Sequence, residues 1–189
     1  MHDIAIVVGS TRPGRKAEAV ARWVLELAEK HTQTHQNARY QLLDIEHFRL
    51  PLLDEPMPPS RGQYAHAHTQ AWAAKVDSFD GYVFVTPEYN HGVPAALKNA
   101  IDFVYREWNN KAAGFVSYGS AGGVRAVEQL RTIMAEVQVA TVRAQVMLSL
   151  YTDFEAFKTF TPGPQHGTTL TTMLDQLNAW AGALKPLRA

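Results

Sequence analysis

Ile4-Ala-Ile-Val-Val-Gly-Ser-Thr-Arg-Pro-Gly-Arg-Lys16 is the stretch that decides the fold. Its first half is a short apolar run, mostly β-branched and stopped by Gly9, the pattern of a strand buried on both faces of a parallel sheet. Its second half leads into a helix, whose first turn offers free N–H groups and the positive end of a dipole to an anion. Ser10 and Thr11 add hydroxyls there, and Arg12, Arg15 and Lys16 add positive charge.

The spacing narrows the kind of anion. Gly9 and Gly14 are placed as in a nucleoside-triphosphate loop, but Arg15 holds the lysine position and no Ser or Thr follows Lys16, so the magnesium-binding hydroxyl is missing. A dinucleotide fingerprint fails as well: Thr11 replaces the middle glycine, and Asp44 lies 35 residues beyond Gly9 instead of about 20. A single terminal phosphate suits what remains. The plainer reading is that these basic residues only solvate a surface turn.

Outward from this loop the chain alternates. Val20, Trp23, Val24 and Leu27 stripe a helix that is expected to end near His31, and Tyr40 to Asp44 is a second strand. Pro51, Pro56, Pro58 and Pro59 make regular structure improbable until about Tyr64. Trp72, Val76 and Phe79 mark a second helix, and Tyr82 to Thr86 a third strand closed by Pro87. Pro94 is placed as a first helical residue, ahead of Leu97, Ile101 and Val104. Gly114 to Tyr118, the helix face Val127, Leu130 and Met134, the strand Val142 to Leu150, and a last helix from about Thr168 complete five strands and five helices. Strict alternation over 189 residues predicts one α/β domain spanning 1–189, a flavodoxin-like three-layer sandwich. Its five-stranded parallel sheet takes the order 2-1-3-4-5, with helices on both faces. A ligand would sit beyond the carboxyl ends of the strands, at the switch point between the first and the third.

Two further loops reach that point. In Thr86-Pro-Glu-Tyr-Asn-His-Gly-Val-Pro94, backbone N–H groups and Asn90 can bond the polar edge of a flat heterocycle. Pro87 and Tyr89 would hold the loop and cover apolar ring surface, and Glu88 is open to a subunit contact. An ordinary strand-to-helix turn fits this loop equally well. Ser117-Tyr-Gly-Ser-Ala-Gly-Gly123 lets backbone approach a ligand closely, with Ser117, Tyr118 and Ser120 for polar contact; its alternative is a flexible turn.

The three loops in this order resemble the NADPH-dependent FMN reductase family, which includes quinone, azo and chromate reductases. The likeness runs from about Ile4 to Leu150. It is carried by Gly9-Ser-Thr-Arg12, by Pro87-Glu-Tyr-Asn90 about 75 residues later, and by the glycine-rich loop after the fourth strand. The resemblance implies that Ser10 and Arg12, with Arg15 or Lys16, hold the FMN phosphate. It places Pro87, Glu88, Tyr89 and Asn90 at the isoalloxazine edge, and Ser117, Tyr118, Gly119 and Gly122 on its other side. Many relatives continue the first loop with a serine and an asparagine, whereas Arg15, Lys16 and Ala17 stand here. The implied activity is transfer of hydride from NADPH or NADH through FMN to a quinone-like, azo, metal or free-flavin acceptor, with ping-pong kinetics and no catalytic side chain. Homodimers or homotetramers are implied too, and the Leu50 to Pro59 stretch and Trp108 are candidates to wall the open face or pair with another subunit.

Composition sets the exclusions. Eighteen basic residues balance eighteen acidic ones, so no global field draws nucleic acid, an anionic membrane or a charge-docked redox partner. Cysteine is absent, which leaves redox chemistry to a bound cofactor and fits a cytoplasmic location. The apolar start at Ile4 lacks a signal-peptide pattern, and no run reaches transmembrane length. Two rivals stand beside the reductase: a non-enzymatic flavin carrier or redox-responsive protein, and a hydrolase built on Ser120, Asp153 and His166, although Tyr118 occupies the first glycine position of a nucleophile elbow. The His31/His35 and His66/His68 pairs lie in polar segments without cysteines and read as solvated surface, so no metal is expected.

Overall fold

The structure is a computed structural model describing residues 1–35 and 38–188. Its main sheet contains β1 (His2–Val8), β2 (Ala38–Asp44), β3 (Gly81–Pro87), β4 (Lys111–Gly119) and β5 (Val139–Ser149). All pairings are parallel, in the order β2-β1-β3-β4-β5. Side chains alternate across a strand, so each central strand feeds two cores. Ile4, Ile6 and Val8 of β1 pack under α1 (Ala17–His35) and α5 (Gln165–Leu184), whereas Ala5 and Val7 face α2 (Ala67–Asp77), α3 (Ala95–Asp102) and α4 (Val124–Glu136). That double burial is why β1, β3 and β4 read as nearly unbroken apolar runs. No helix among the described residues is long and apolar enough to cross a membrane.

The elements differ from expectation mainly at their ends. α1 continues one turn past His31, because that residue is buried and bonded to α5. Phe79 and Val104 lie beyond the helices they were assigned to, yet both are buried, so the core holds them without helical backbone. Pro94 caps α3 with extended ψ instead of opening it. 3-10 turns flank the proline-rich segment at Ile45–Phe48 and Pro59–Arg61, and a third lies at Lys185–Arg188. A small antiparallel pair, β6 (Phe154–Glu155) with β7 (Thr159–Phe160), brings the strand count among the described residues to seven; two-residue strands leave no periodicity to read. Trp108 neither walls a cleft nor reaches a surface: it is buried against Trp72 and Tyr82, and its indole N–H donates to the Ile101 carbonyl at 3.1 Å.

At the end of the sheet away from the loops, Lys111 is buried. Its ammonium donates to the carbonyls of Val76 and Asp77 at 3.0 Å each and to Tyr82 Oη at 3.3 Å, closing the last turn of α2. Burial, only partly offset by Asp77, brings its pKa down to about 8. Between about pH 8 and 10 the unfolded chain therefore keeps a proton that the folded chain has lost, and stability rises with pH, by about 2 to 3 kcal/mol over that window. Urea titrations across it should show the native sequence gaining stability relative to Lys111→Met as the pH rises.

Candidate functional site

The loops after β1, β3 and β4 converge on a shallow cleft of about 110 Å³. Arg12, Gly14, Arg15 and Lys16 line it from the first loop, Pro87, Glu88 and Tyr89 from the second, Tyr118 and Gly119 from the third, and Leu150 from the end of β5. The first loop can approach β3 only because residue 9 is glycine. A Cβ there would lie 2.8 Å from the Val85 carbonyl oxygen and 2.9 Å from Leu97 Cδ2, and the Gly9 amide donates to that same carbonyl at 2.9 Å.

The polar groups of the first loop divide into two sets. Ser10 is buried, with its hydroxyl 3.0 Å from Tyr89 Oη, so it joins the first loop to the second. Arg15 is held inward: its guanidinium donates to the Ser10 carbonyl at 2.7 Å and pairs with Asp44 at 2.5 Å, Glu46 at 2.8 Å and Glu18 at 2.9 Å. Burial opposes its charge, but these carboxylates outweigh burial and raise its pKa. Arg12 and Lys16 differ, since among the described residues neither has an ion-pair partner. The amides of Thr11, Gly14 and Lys16 likewise meet no acceptor among the described residues. Two cations and three free donors beside a helix start are groups that could hold a phosphate.

The second loop is bent tightly. Tyr89 and Gly92 exchange both backbone hydrogen bonds at 3.1 Å, which forces Asn90 (φ 48°) and His91 (φ 69°) into left-handed conformations. Asn90 is thereby exposed at the loop tip, with its side chain uncommitted among the described residues. α4 braces this bend. Arg125 forms an ion pair with Glu88 and lies 3.0 Å from His91 Nδ1, while Gln129 accepts from the Val93 amide at 3.1 Å and donates to the His91 carbonyl at 3.1 Å. Burial would lift the Glu88 carboxyl, but the Arg125 side chain and amide hold it below its ordinary range. The Glu88 carboxylate thus faces α4 within its own chain. Sequence reading missed Arg125 and Gln129; their i, i+4 spacing on the helix that follows the glycine loop was the available signal.

In the third loop Ser117 does not face the cleft. It is fully buried, and its hydroxyl donates to the Gly122 carbonyl at 2.6 Å, locking the glycine turn. Tyr118 lies against the cleft, with its phenol pKa raised by burial, and its carbonyl accepts from the Glu88 amide at 3.1 Å. Gly122 and Gly123 both take positive φ. Asp153 and His166 do meet, at 2.9 Å, but Asp153 also accepts from the amides of Ser149 and Gly163, and among the described residues no hydrogen bond joins either group to Ser120. The pair braces the segment after β5. His31 is not solvated surface: it is 7% exposed and bonded to Asp175.

A family profile described as NADPH-dependent FMN reductase matches residues 2–153. An NAD(P)H-dependent FMN reductase of Schizosaccharomyces pombe is 38% identical over 152 residues, covering 79% of this chain and 74% of that protein. A quinone reductase of Escherichia coli K12 is 34% identical over 138 residues, covering 70% of this chain and 69% of its own. Among solved structures, the flavoenzyme NAD(P)H:(acceptor) oxidoreductase FerB of Paracoccus denitrificans superposes with a TM-score of 0.74 over 97% of this chain and 98% of that one, at 21% identity, a likeness of fold.

Proposed function

This chain belongs to the NADPH-dependent FMN reductase family, and from that membership we propose how its own residues hold the cofactor and which acceptor it serves. It is an oxidoreductase that depends on FMN and on NADPH or NADH as donor. The convergence of the three loops on one cleft carries the assignment of residues. Arg12 and Lys16, with the amides of Thr11, Gly14 and Lys16, take the phosphate. Arg15 acts one step back, fixing the Ser10 carbonyl and the curve of the loop. Pro87, Tyr89 and Asn90 edge the flavin ring, with the Asn90 amide and side chain toward its pyrimidine side; Tyr118, Gly119 and Gly122 border it on the other. Glu88 and Ser117 set the shapes of their loops.

When bound, FMN supplies acceptance of a hydride from the reduced nicotinamide and its release to a second substrate. The protein's part is placement and charge. Backbone donors of the second loop favour negative charge on the pyrimidine edge, and pairing with Arg125 keeps the Glu88 carboxylate from opposing it. That balance supports a two-electron acceptor of quinone type, as does the likeness to bacterial quinone reductases. The whole chain, 1–189, acts as one flavin-binding domain, in the cytoplasm, as a homodimer or homotetramer. The exposed Leu52, Leu53 and Met57 are a surface suited to a second copy.

Purified protein is expected to be yellow, to release FMN on denaturation, and to bleach anaerobically with NADH or NADPH before a quinone restores the colour. Colourless protein that takes up no added FMN would overturn the assignment. Flavin that neither nicotinamide bleaches would leave a carrier.

A further inference from the structure

We propose that His31, His35 and Asp175 form a binding site for one transition-metal dication of the zinc class, separate from the flavin cleft. His31 and His35 stand four residues apart in the last turns of α1, and their rings stack with centroids 4.2 Å apart and planes 12° apart. Asp175, from α5, places Oδ1 2.7 Å from His31 Nε2. One ligand atom from each of the three lies within 4.8 Å of the other two.

The hydrogen bonds decide how these groups can be used. Thr34 donates its only hydroxyl proton to the His31 carbonyl at 2.8 Å, so toward His35 Nδ1, at 2.8 Å, its oxygen is an acceptor. The His31 carbonyl, 3.0 Å from the same nitrogen, is an acceptor too. His35 Nδ1 therefore carries a proton, and in the neutral ring Nε2 keeps its lone pair, the arrangement that ring N–H to carbonyl bonds impose on metal-ligating histidines. In its neutral ring the lone pair of His35 and the carboxylate of Asp175, which already stands 2.7 Å from His31 Nε2, are both acceptors and offer each other no proton. A cation satisfies both. The His31 ring is 3% exposed and fixed by packing, with Nδ1 buried and unpartnered, so its one engaged nitrogen is the one facing Asp175. Ligand atoms around a tetrahedral zinc stand about 3.3 Å apart. Asp175 and His35 are both exposed and can swing inward by the difference, leaving water in the fourth position.

Two imidazoles and one carboxylate suit zinc, nickel or copper, and not magnesium or calcium. The ion would lie about 20 Å along α1 from its N-terminal end at the cleft, at 1.5 Å per residue, and so has no part in hydride transfer. It would clip the end of α1 to α5. In the second carboxylate cluster, Glu18, Asp44 and Glu46, the Arg15 guanidinium already pairs with all three groups.

The test is calorimetric titration of zinc chloride into tag-free, chelator-stripped, flavin-loaded protein, alongside thermal unfolding. One zinc per chain is expected, with a thermal midpoint that rises with zinc. His35→Ala and Asp175→Asn should each weaken binding at least tenfold. His66→Ala, in the separate pair that faces Asp54, should leave binding as it was, and nicotinamide oxidation should not change with zinc. Absence of binding, or binding equally strong in His35→Ala and Asp175→Asn, overturns the proposal and leaves a hydrogen-bonded helix contact only.

Discussion

Gly123→Ala is expected to destabilise the protein by about 3 to 5 kcal/mol and to abolish flavin retention. Two costs add. The residue has φ 71°, where a non-glycine side chain loses about 1 to 2 kcal/mol. A Cβ would also lie 2.8 Å from Ser117 Cβ, 2.9 Å from the Tyr118 amide nitrogen and 3.0 Å from its carbonyl oxygen. Those atoms belong to β4, an interior strand paired on both sides, so relief must come from the glycine loop. Moving the loop breaks the Ser117 hydroxyl bond to Gly122 and withdraws Gly119 from the cleft. Gly14→Ala is the control: φ is 68° but nothing stands within 4 Å of the added carbon, so only the backbone cost applies. Urea midpoints and flavin absorbance of the two variants measure the contrast. A Gly123→Ala protein as stable and as yellow as the parent would refute the role given to the loop.

The second large effect concerns the phosphate. Arg12→Ala with Lys16→Ala is expected to weaken FMN binding about 100-fold while leaving riboflavin binding within about threefold, since charge-assisted hydrogen bonds contribute about 1.5 to 3 kcal/mol each and partial exposure reduces this. Arg15→Met should behave differently. Its guanidinium is 5% exposed and neutralises an Asp44 that is 11% exposed, so its loss lowers the urea midpoint and weakens FMN and riboflavin alike. Fluorescence titration with both flavins separates the two classes. Equal losses of the two flavins in the Arg12/Lys16 variant would move the phosphate elsewhere.

The sheet was legible because periodicity and burial coincide: β1, β3 and β4 are apolar on both faces, and no other element among the described residues reads that way. The cleft was legible as three loops at strand ends. What sequence could not divide was the labour within each loop. Arg12, Arg15 and Lys16 look alike as letters, and only Asp44 and Glu46, from the end of β2 and the turn after it, turn one of them inward. Ser117 was read as a ligand group for the same reason, since its hydroxyl is turned to Gly122 by strand geometry that spacing does not encode. Asp175 lies 144 residues from His31, beyond the reach of any local pattern.

Arg15 has one more consequence. β2 is an edge strand, free on one side, and such strands can slip along their neighbour or recruit a foreign strand. A slip of one residue would exchange its faces and carry Asp44 away from the guanidinium that also holds the Ser10 carbonyl. The loop proposed to hold phosphate is therefore also a register lock for the β2 edge of the sheet.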